Sequence, residues 1–88
     1  MRDAAEDEAP AELPDELVID LHKAIDFAGE TLTQITVREP TFGQLEEMRK
    51  KGSSIFAISL ISGVPEQAIA KMMARDVKKA GDFLALFT

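Results

Sequence analysis

The chain has 88 residues, no cysteine and a formal net charge of -6 at pH 7. This length predicts one domain with a small core, and the lack of cysteine excludes a disulfide, a thiolate nucleophile and a cysteine-ligated zinc site. Seven of the 16 acidic residues lie within residues 1–16 beside one base, Arg2, so residues 17–88 are formally neutral. A neutral domain has no broad electrostatic attraction to nucleic acid or to an anionic membrane.

Residues 1–16 form an acidic tail that we predict to be disordered. They combine charge with alanine and two prolines, so they cannot bury enough apolar surface to offset the entropy of the chain. An acidic start is the opposite of a secretory signal, and no apolar stretch approaches the ~20 residues that span a bilayer. We therefore expect a cytoplasmic protein that does not enter a membrane.

Two β-strands and a turn are predicted after the tail. From Leu17 onward, apolar residues alternate with polar ones, as in a strand with one buried face. Lys23 interrupts the apolar face, which predicts a bulge or an edge position. Residues 32–37 are rich in β-branched side chains and follow a turn at Gly29, so the two strands form a hairpin. Because a lone hairpin is marginally stable, its apolar face must pack on other elements.

About four short helices are predicted after Pro40, which stops the second strand. Their boundary signals are a capping box at Thr41 and Gln44, a C-terminal cap at Gly52, an N-terminal cap at Ser53 or Ser54, a stop at Gly63, a first helical residue at Pro65 and an N-terminal cap at Asp76. The first helix is expected to bury Phe42, Leu45 and Met48, and the mostly apolar segment 55–61 is expected at the centre of the fold. The predicted fold class is α+β: an N-terminal β-hairpin followed by about four short α-helices in one domain, residues 17–88, after the disordered tail.

No arrangement of residues predicts catalysis. His22, the only histidine, lies on the polar face of the first strand, where a solvated side chain is the usual interpretation. The serines have no nearby histidine in sequence and no nucleophile-elbow pattern, and the glycines form no phosphate-binding loop. We expect a protein that is not an enzyme and that uses no metal and no cofactor.

Residues 58–70 imitate a helix-turn-helix, with a small residue, a Gly-Val turn and an apolar residue at the spacing of that motif. The second helix would carry only Lys71 and Arg75 as bases, whereas lysine and arginine contacts to phosphate normally dominate DNA affinity. An ordinary pair of helices is the favoured interpretation, and nucleic acid is not an expected partner. A small helix-turn-helix-like DNA-binding regulator and an antitoxin-type adaptor remain the alternatives.

Large apolar side chains are concentrated toward the end of the chain. They are Met72, Met73, Phe83, Leu84, Leu86 and Phe87. Core is the default interpretation, but a domain of this size rarely obtains more than ~3–5 kcal/mol from its own core. Methionine and phenylalanine also suit an adaptable surface for a partner helix. Both interpretations stay open at this point.

Three motifs, in this order, resemble the phage tail assembly chaperones of the E/41/14 group, from Mu-like and related long-tailed phages or prophages. The motifs are Ile35-Thr36-Val37-Arg38-Glu39-Pro40-Thr41 after a hairpin, the turn Ser62-Gly63-Val64-Pro65, and Arg75-Asp76-Val77 at the start of the last helix. The similarity covers about residues 18–87 and leaves the acidic tail outside.

The resemblance implies a non-enzymatic role in building a phage tail. Members of this family are thought to coat the tape-measure protein, to keep it soluble in the host cytoplasm until tail-tube subunits polymerise around it, and to be absent from the mature virion. The implied partners are the tape-measure protein, the tail-tube protein and further copies of the chaperone itself. Several copies would bind successive apolar stripes on an extended helix of the client, each weakly, so that multivalency raises the total affinity. The residues expected to form the client surface are Met72, Met73, Phe83, Leu84 and Phe87.

Overall fold

The computed structural model describes residues 13–88, so most of the predicted acidic tail lies outside the described residues. The observed fold is α+β, which confirms the predicted class. Two antiparallel strands and four helices follow one another in the order β1 (Glu16–Phe27), β2 (Glu30–Arg38), α1 (Phe42–Lys51), α2 (Ser54–Ser62), α3 (Glu66–Ile69) and α4 (Ala74–Ala85). The division into a tail of residues 1–16 and a domain of residues 17–88 stays a prediction.

The hairpin turn consists of two residues, Ala28 and Gly29, between the paired residues Phe27 and Glu30. Both have positive φ angles, 54° and 81°. Such a pair of left-handed residues matches the right-handed twist of the flanking strands, which is why two-residue hairpins favour it. The predicted glycine turn is therefore present, with an alanine in the position where asparagine or aspartate is usual.

An irregularity in β1 confirms the bulge predicted at Lys23. Asp20 pairs with Gln34 and Ile25 pairs with Leu32, so four residues of β1 lie opposite one residue of β2. Through this shift, the pairs Ile19–Ile35 and Ile25–Leu32 both contribute to the core, although Leu32 and Ile35 have opposite parity along β2. The bulge thus keeps both ends of a long strand on the same core.

The helix boundaries follow most of the predicted signals. Thr41 and Gln44 form the capping box, Ser53 caps α2, and Gly52 and Gly63 adopt left-handed C-terminal caps. Two predictions about caps were wrong. Pro65 is the N-cap residue of α3 rather than its first helical residue. Helix α4 begins at Ala74 with Met73 as its N-cap, so Asp76 lies inside the first turn.

Helix α2 lies at the centre of the fold, as its apolar sequence predicts. It contacts β2, α1, α3 and α4, and it buries Ala57, Ile58 and Ile61. The prediction for α1 was wrong at Phe42, whose surface is 75% exposed. Phe42 lies in the first turn of a peripheral helix that packs mainly against α2, and only Leu45 and Met48 of the predicted face are partly buried.

Candidate binding groove between strand β1 and helix α4

An open groove of about 540 Å³ separates strand β1 from helix α4. Its walls are one stretch of the chain before and within β1 and one face of α4. The lining residues are Pro14, Leu17, Val18, Ile19, Asp20, Lys79, Asp82, Phe83 and Leu86. We call this feature the β1–α4 groove. Its volume falls in the range of typical ligand sites, about 300–1,000 Å³.

The strand side of the groove is an edge of the sheet. Four consecutive residues, 17–20, line it, whereas successive side chains of a strand point to opposite faces. A groove touched by all four must therefore run along the strand's edge. The sheet has two strands, and β2 occupies the other edge of β1.

The hydrogen-bond pattern of the hairpin shows which backbone groups face the groove. The Glu39 N–H donates to the Asp15 carbonyl at 2.8 Å, just before β1 begins. Hydrogen-bonded and non-hydrogen-bonded pairs alternate in an antiparallel ladder, so the N–H and C=O groups of Glu16, Val18 and Asp20 point away from β2. Among residues 13–88, no backbone hydrogen bond from outside the hairpin reaches these three residues.

The helix side of the groove is one face of α4. Lys79 lies three and four residues before Asp82 and Phe83, and Leu86 lies four and three residues after them, which places the four on one side of the helix. Phe83 is 5% exposed and forms an apolar floor, while Val18 and Leu86 are 46% and 48% exposed at the sides. The groove therefore offers apolar surface to a partner on both walls.

Asp76 fastens the first turn of α4 to the bulge of β1. Its side chain is fully buried, and its Oδ2 accepts a hydrogen bond from the His22 N–H at 2.8 Å. Its Oδ1 has no hydrogen-bond partner among the described residues, and the Lys79 Nζ lies 4.0 Å away. The N-terminus of a helix stabilises a negative charge, so α4 itself also favours this carboxylate. The Asp76 carboxylate thus accepts a hydrogen bond from the His22 amide, which lies in the bulge and outside the regular β1–β2 ladder.

The role of Asp76 was missed from the sequence, although a signal was present. Asp76 lies four residues before Ala80 and seven before Phe83, on the apolar stripe of α4. A lone carboxylate on a buried stripe requires a donor. A bulge or an edge position was predicted at Lys23, and a bulge leaves a residue outside the regular ladder, so the donor for Asp76 could have been sought there.

The charges around the β1–α4 groove are mostly negative. Asp20 and Asp82 line it together with one base, Lys79. Asp20 accepts a hydrogen bond from Gln34 at 2.9 Å, and Asp82 lies 3.4 Å from Lys78. Asp15 and Glu16 lie between Pro14 and Leu17, and Glu16 is 3.8 Å from Arg38 of β2. The surroundings favour a partner with positive charge.

The five residues predicted as a client surface occupy different environments. Met72, Phe83 and Leu84 lie in the core, at 8%, 5% and 7% exposure. Met73 is 40% exposed, and Phe87 is half-buried with its ring 5.4 Å from that of Phe83 in an edge-on arrangement. Their role in binding a partner stays a prediction. Val18 and Leu86, the exposed apolar residues of the groove, were not in the predicted set.

Other kinds of site find little support in the part of the chain that the structure describes. Residues 13–88 contain no group of three or more His, Cys, Asp or Glu side chains that could hold a metal ion. Helix α3, which would have to be the recognition helix of a helix-turn-helix, has only four residues, Glu66–Ile69, and is followed by a turn. No helix within residues 13–88 is long and apolar enough to cross a membrane.

The comparisons with known proteins agree with the family suggested by the motifs. A family model described as phage tail assembly chaperone proteins, E, or 41 or 14, matches residues 18–88. No curated protein and no solved structure matches the chain. The family match begins at Val18 and extends through Leu86, so it includes most of both walls of the β1–α4 groove.

Proposed function

Because the chain belongs to the phage tail assembly chaperone family, we propose that it binds the tape-measure protein and keeps it soluble until the tail-tube subunits polymerise. Membership of the family supports a role in phage tail assembly and suggests that this role is non-enzymatic. The finer part of the proposal, the tape-measure protein as client, rests on what the family resemblance implies together with the surface described above.

The observation that carries the proposal is the apolar β1–α4 groove. A chaperone of this kind has to cover apolar segments of a long client before the client's own assembly buries them. Val18 and Leu86 expose nearly half of their surface on opposite walls, above the buried ring of Phe83. Covering apolar surface stabilises a complex by about 25 cal/mol per Å² before the cost of association is subtracted. One groove therefore binds weakly, and many copies along one client bind strongly.

The predicted client residues divide into two groups within this proposal. Met73 and Phe87 are accessible enough to contact a client directly. The other three would not contact the client directly. They pack in the core, where they hold α4 against the sheet and so shape the groove; they are Met72, Phe83 and Leu84. We propose Val18 and Leu86 as additional contact residues.

We also propose the place and time of action. The protein acts in the host cytoplasm, during a phage infection or after induction of a prophage, and it is absent from the mature virion. The tail-tube protein is a second partner, because its polymerisation displaces the chaperone from the client. The excess negative charge of residues 1–16 keeps coated clients apart by mutual repulsion.

Co-expression with the tape-measure protein of the same phage tests the proposal. The unaltered chain should keep that protein in the soluble fraction and co-purify with it after nuclease treatment. Leu86→Ser should reduce the soluble, co-purifying fraction severalfold, since it removes apolar surface from one wall of the groove. Phe42→Ser is the matched control, because Phe42 is 75% exposed and lies outside the groove, and it should change nothing.

Two results would contradict the proposal. The tape-measure protein could be equally insoluble with and without the chain. Nuclease-sensitive nucleic acid could instead be the main material that co-purifies, which would favour the alternative of a DNA-binding regulator.

A further inference from the structure

The geometry points to β-strand addition: we infer that the β1–α4 groove binds its partner as an extended segment that pairs with residues 16–20 of β1 and carries basic and apolar side chains. This inference deepens the proposed function and rests on it for the identity of the client. It adds the conformation and the charge of the client segment that is bound.

The backbone groups of β1 that have no protein partner among residues 13–88 favour an extended partner. Glu16, Val18 and Asp20 direct their N–H and C=O groups away from β2 and toward the groove. A helix satisfies its own backbone hydrogen bonds, so it leaves such groups without partners. An extended segment offers the complementary donors and acceptors, and adding a strand to a sheet edge is a recurrent way of binding peptides. Side chains on alternate positions of that segment would reach the apolar wall at Leu86.

The bulge sets the length of the paired stretch. Regular pairing of β1 with β2 is interrupted between Asp20 and Ile25, and the N–H of His22 in this bulge already donates to Asp76. A bound strand can therefore continue the ladder along residues 16–20 and stops where Asp76 fastens α4 to β1. The groove lies beside this short open edge and has α4 as its second wall.

Charge decides between a second copy of this chain and a different partner. If two copies paired antiparallel through this edge with Val18 at the centre, Glu16 of one copy would lie opposite Asp20 of the other. Like charges directly opposite each other destabilise a sheet, and Asp15, just before β1, would add to the repulsion. The same charges attract lysine and arginine, so the favoured occupant is a basic segment of the client.

Amide hydrogen exchange of the full 88-residue chain tests the pairing directly. The probes are synthetic 12-residue peptides that tile the tape-measure protein of the same phage, followed by the whole tape-measure protein in complex. The amides of Val18 and Asp20 should become at least about tenfold more protected in the complex, because each gains a hydrogen bond. The amide of Ile19 is the internal control, since it already faces β2 and should change little.

A proline substitution removes one of the free donors selectively. Val18→Pro deletes an N–H that faces away from β2, which is the one orientation in which a strand tolerates proline. It should weaken binding by about tenfold, as expected for the loss of about 1.4 kcal/mol. Val18→Ala is the matched control: it keeps the N–H but has a smaller apolar side chain than proline, so Val18→Pro must weaken binding more than Val18→Ala does. Hydrogen exchange on the unaltered chain remains decisive if Val18→Pro fails to fold.

A separate measurement tests whether the bound segment is positively charged. The double substitution Asp20→Asn with Asp82→Asn should lower the affinity for the best-binding peptide and make that affinity less dependent on salt. Glu47→Gln on the exposed side of α1 is the control and should leave both unchanged. The best-binding peptide should itself contain lysine or arginine between apolar residues.

The outcomes separate this inference from the proposed function. If the tape-measure protein binds, loses affinity with Leu86→Ser and yet leaves the Val18 and Asp20 amides unprotected, then strand addition is overturned and the proposed function stands. Binding that favours acidic or neutral peptides would overturn the inferred charge. If no part of the tape-measure protein binds, the proposed function fails and the inference fails with it.

Discussion

The two ends of helix α4 have opposite characters. The first turn is held by Asp76, which is fully buried and bonded to the backbone of β1. After the last turn, the C-cap residue Leu86 is 48% exposed, and Phe87 is half-buried against Phe83. The first end has a specific polar contact with the sheet, whereas the second leaves apolar surface beside an open strand edge. The proposed binding surface depends on both ends, since it is useful only on a helix whose position is fixed.

This difference explains why the acidic residues of α4 cannot be treated alike. Asp76 and Asp82 both look like ordinary helix charges in the sequence. Asp76 is fully buried and serves the fold, whereas the side chain of Asp82 is 69% exposed at the groove and pairs only with the exposed Lys78. Burial decides the role, because the same carboxylate has a far stronger effect where water is excluded.

The largest expected effect comes from removing the floor of the groove. Phe83→Ala should destabilise the domain by about 3–5 kcal/mol, because a buried phenylalanine leaves a large cavity. A domain of this size has little more stability than that, so the variant should be mostly unfolded by far-UV circular dichroism at 25 °C. Phe87→Ala, on the half-exposed partner of the same aromatic pair, should cost about 1–2 kcal/mol and remain folded. Equal effects at both positions would contradict the difference in burial between Phe83 and Phe87.

The next effect comes from the contact at the first turn. Asp76→Ala should lower the free energy of unfolding by about 2–3 kcal/mol, since it leaves the His22 amide without its acceptor. Asp76→Asn keeps an acceptor oxygen and removes a charge whose Oδ1 has no hydrogen bond, so it should cost less than half as much. Urea unfolding of the three proteins measures both values. An Asp76→Ala variant as stable as the unaltered chain would show that the bulge does not depend on this contact.

The smallest effect concerns the lysine near Asp76. The Lys79 Nζ is 4.0 Å from the Asp76 Oδ1, but the lysine side chain is 56% exposed. Such partly solvated pairs contribute little, so Lys79→Met should change the stability by about 0.5 kcal/mol or less. Lys78→Met is the matched control, with an exposed Asp82 as its partner. If Lys79→Met alone were strongly destabilising in urea, Lys79 would be the main compensation for the buried carboxylate.

Local features of the fold could be predicted from the sequence because their causes are local. The Ala28-Gly29 turn, the capping box at Thr41 and the left-handed cap at Gly52 each depend on residues within one or two turns of the chain. The central position of α2 followed from its apolar composition, since such a helix is stable only where other elements surround it. The three family motifs could also be recognised in the sequence, because they lie at element boundaries: the end of β2, the turn after α2 and the start of α4.

The groove depends on which distant segments meet, and so it could not be predicted in the same way. His22 and Asp76 are 54 residues apart in sequence, and their contact determines where α4 leaves β1. The exposure of Phe42 and the burial of Phe83 likewise depend on which neighbours cover each helix rather than on either residue type. Sequence patterns alone determined the α+β class, the hairpin with its bulge and most of the caps, because short-range sterics and hydrogen bonds govern them. Only the tertiary structure decided that one edge of β1 lies beside α4 with no strand paired to it among residues 13–88, because that follows from packing between elements remote along the chain.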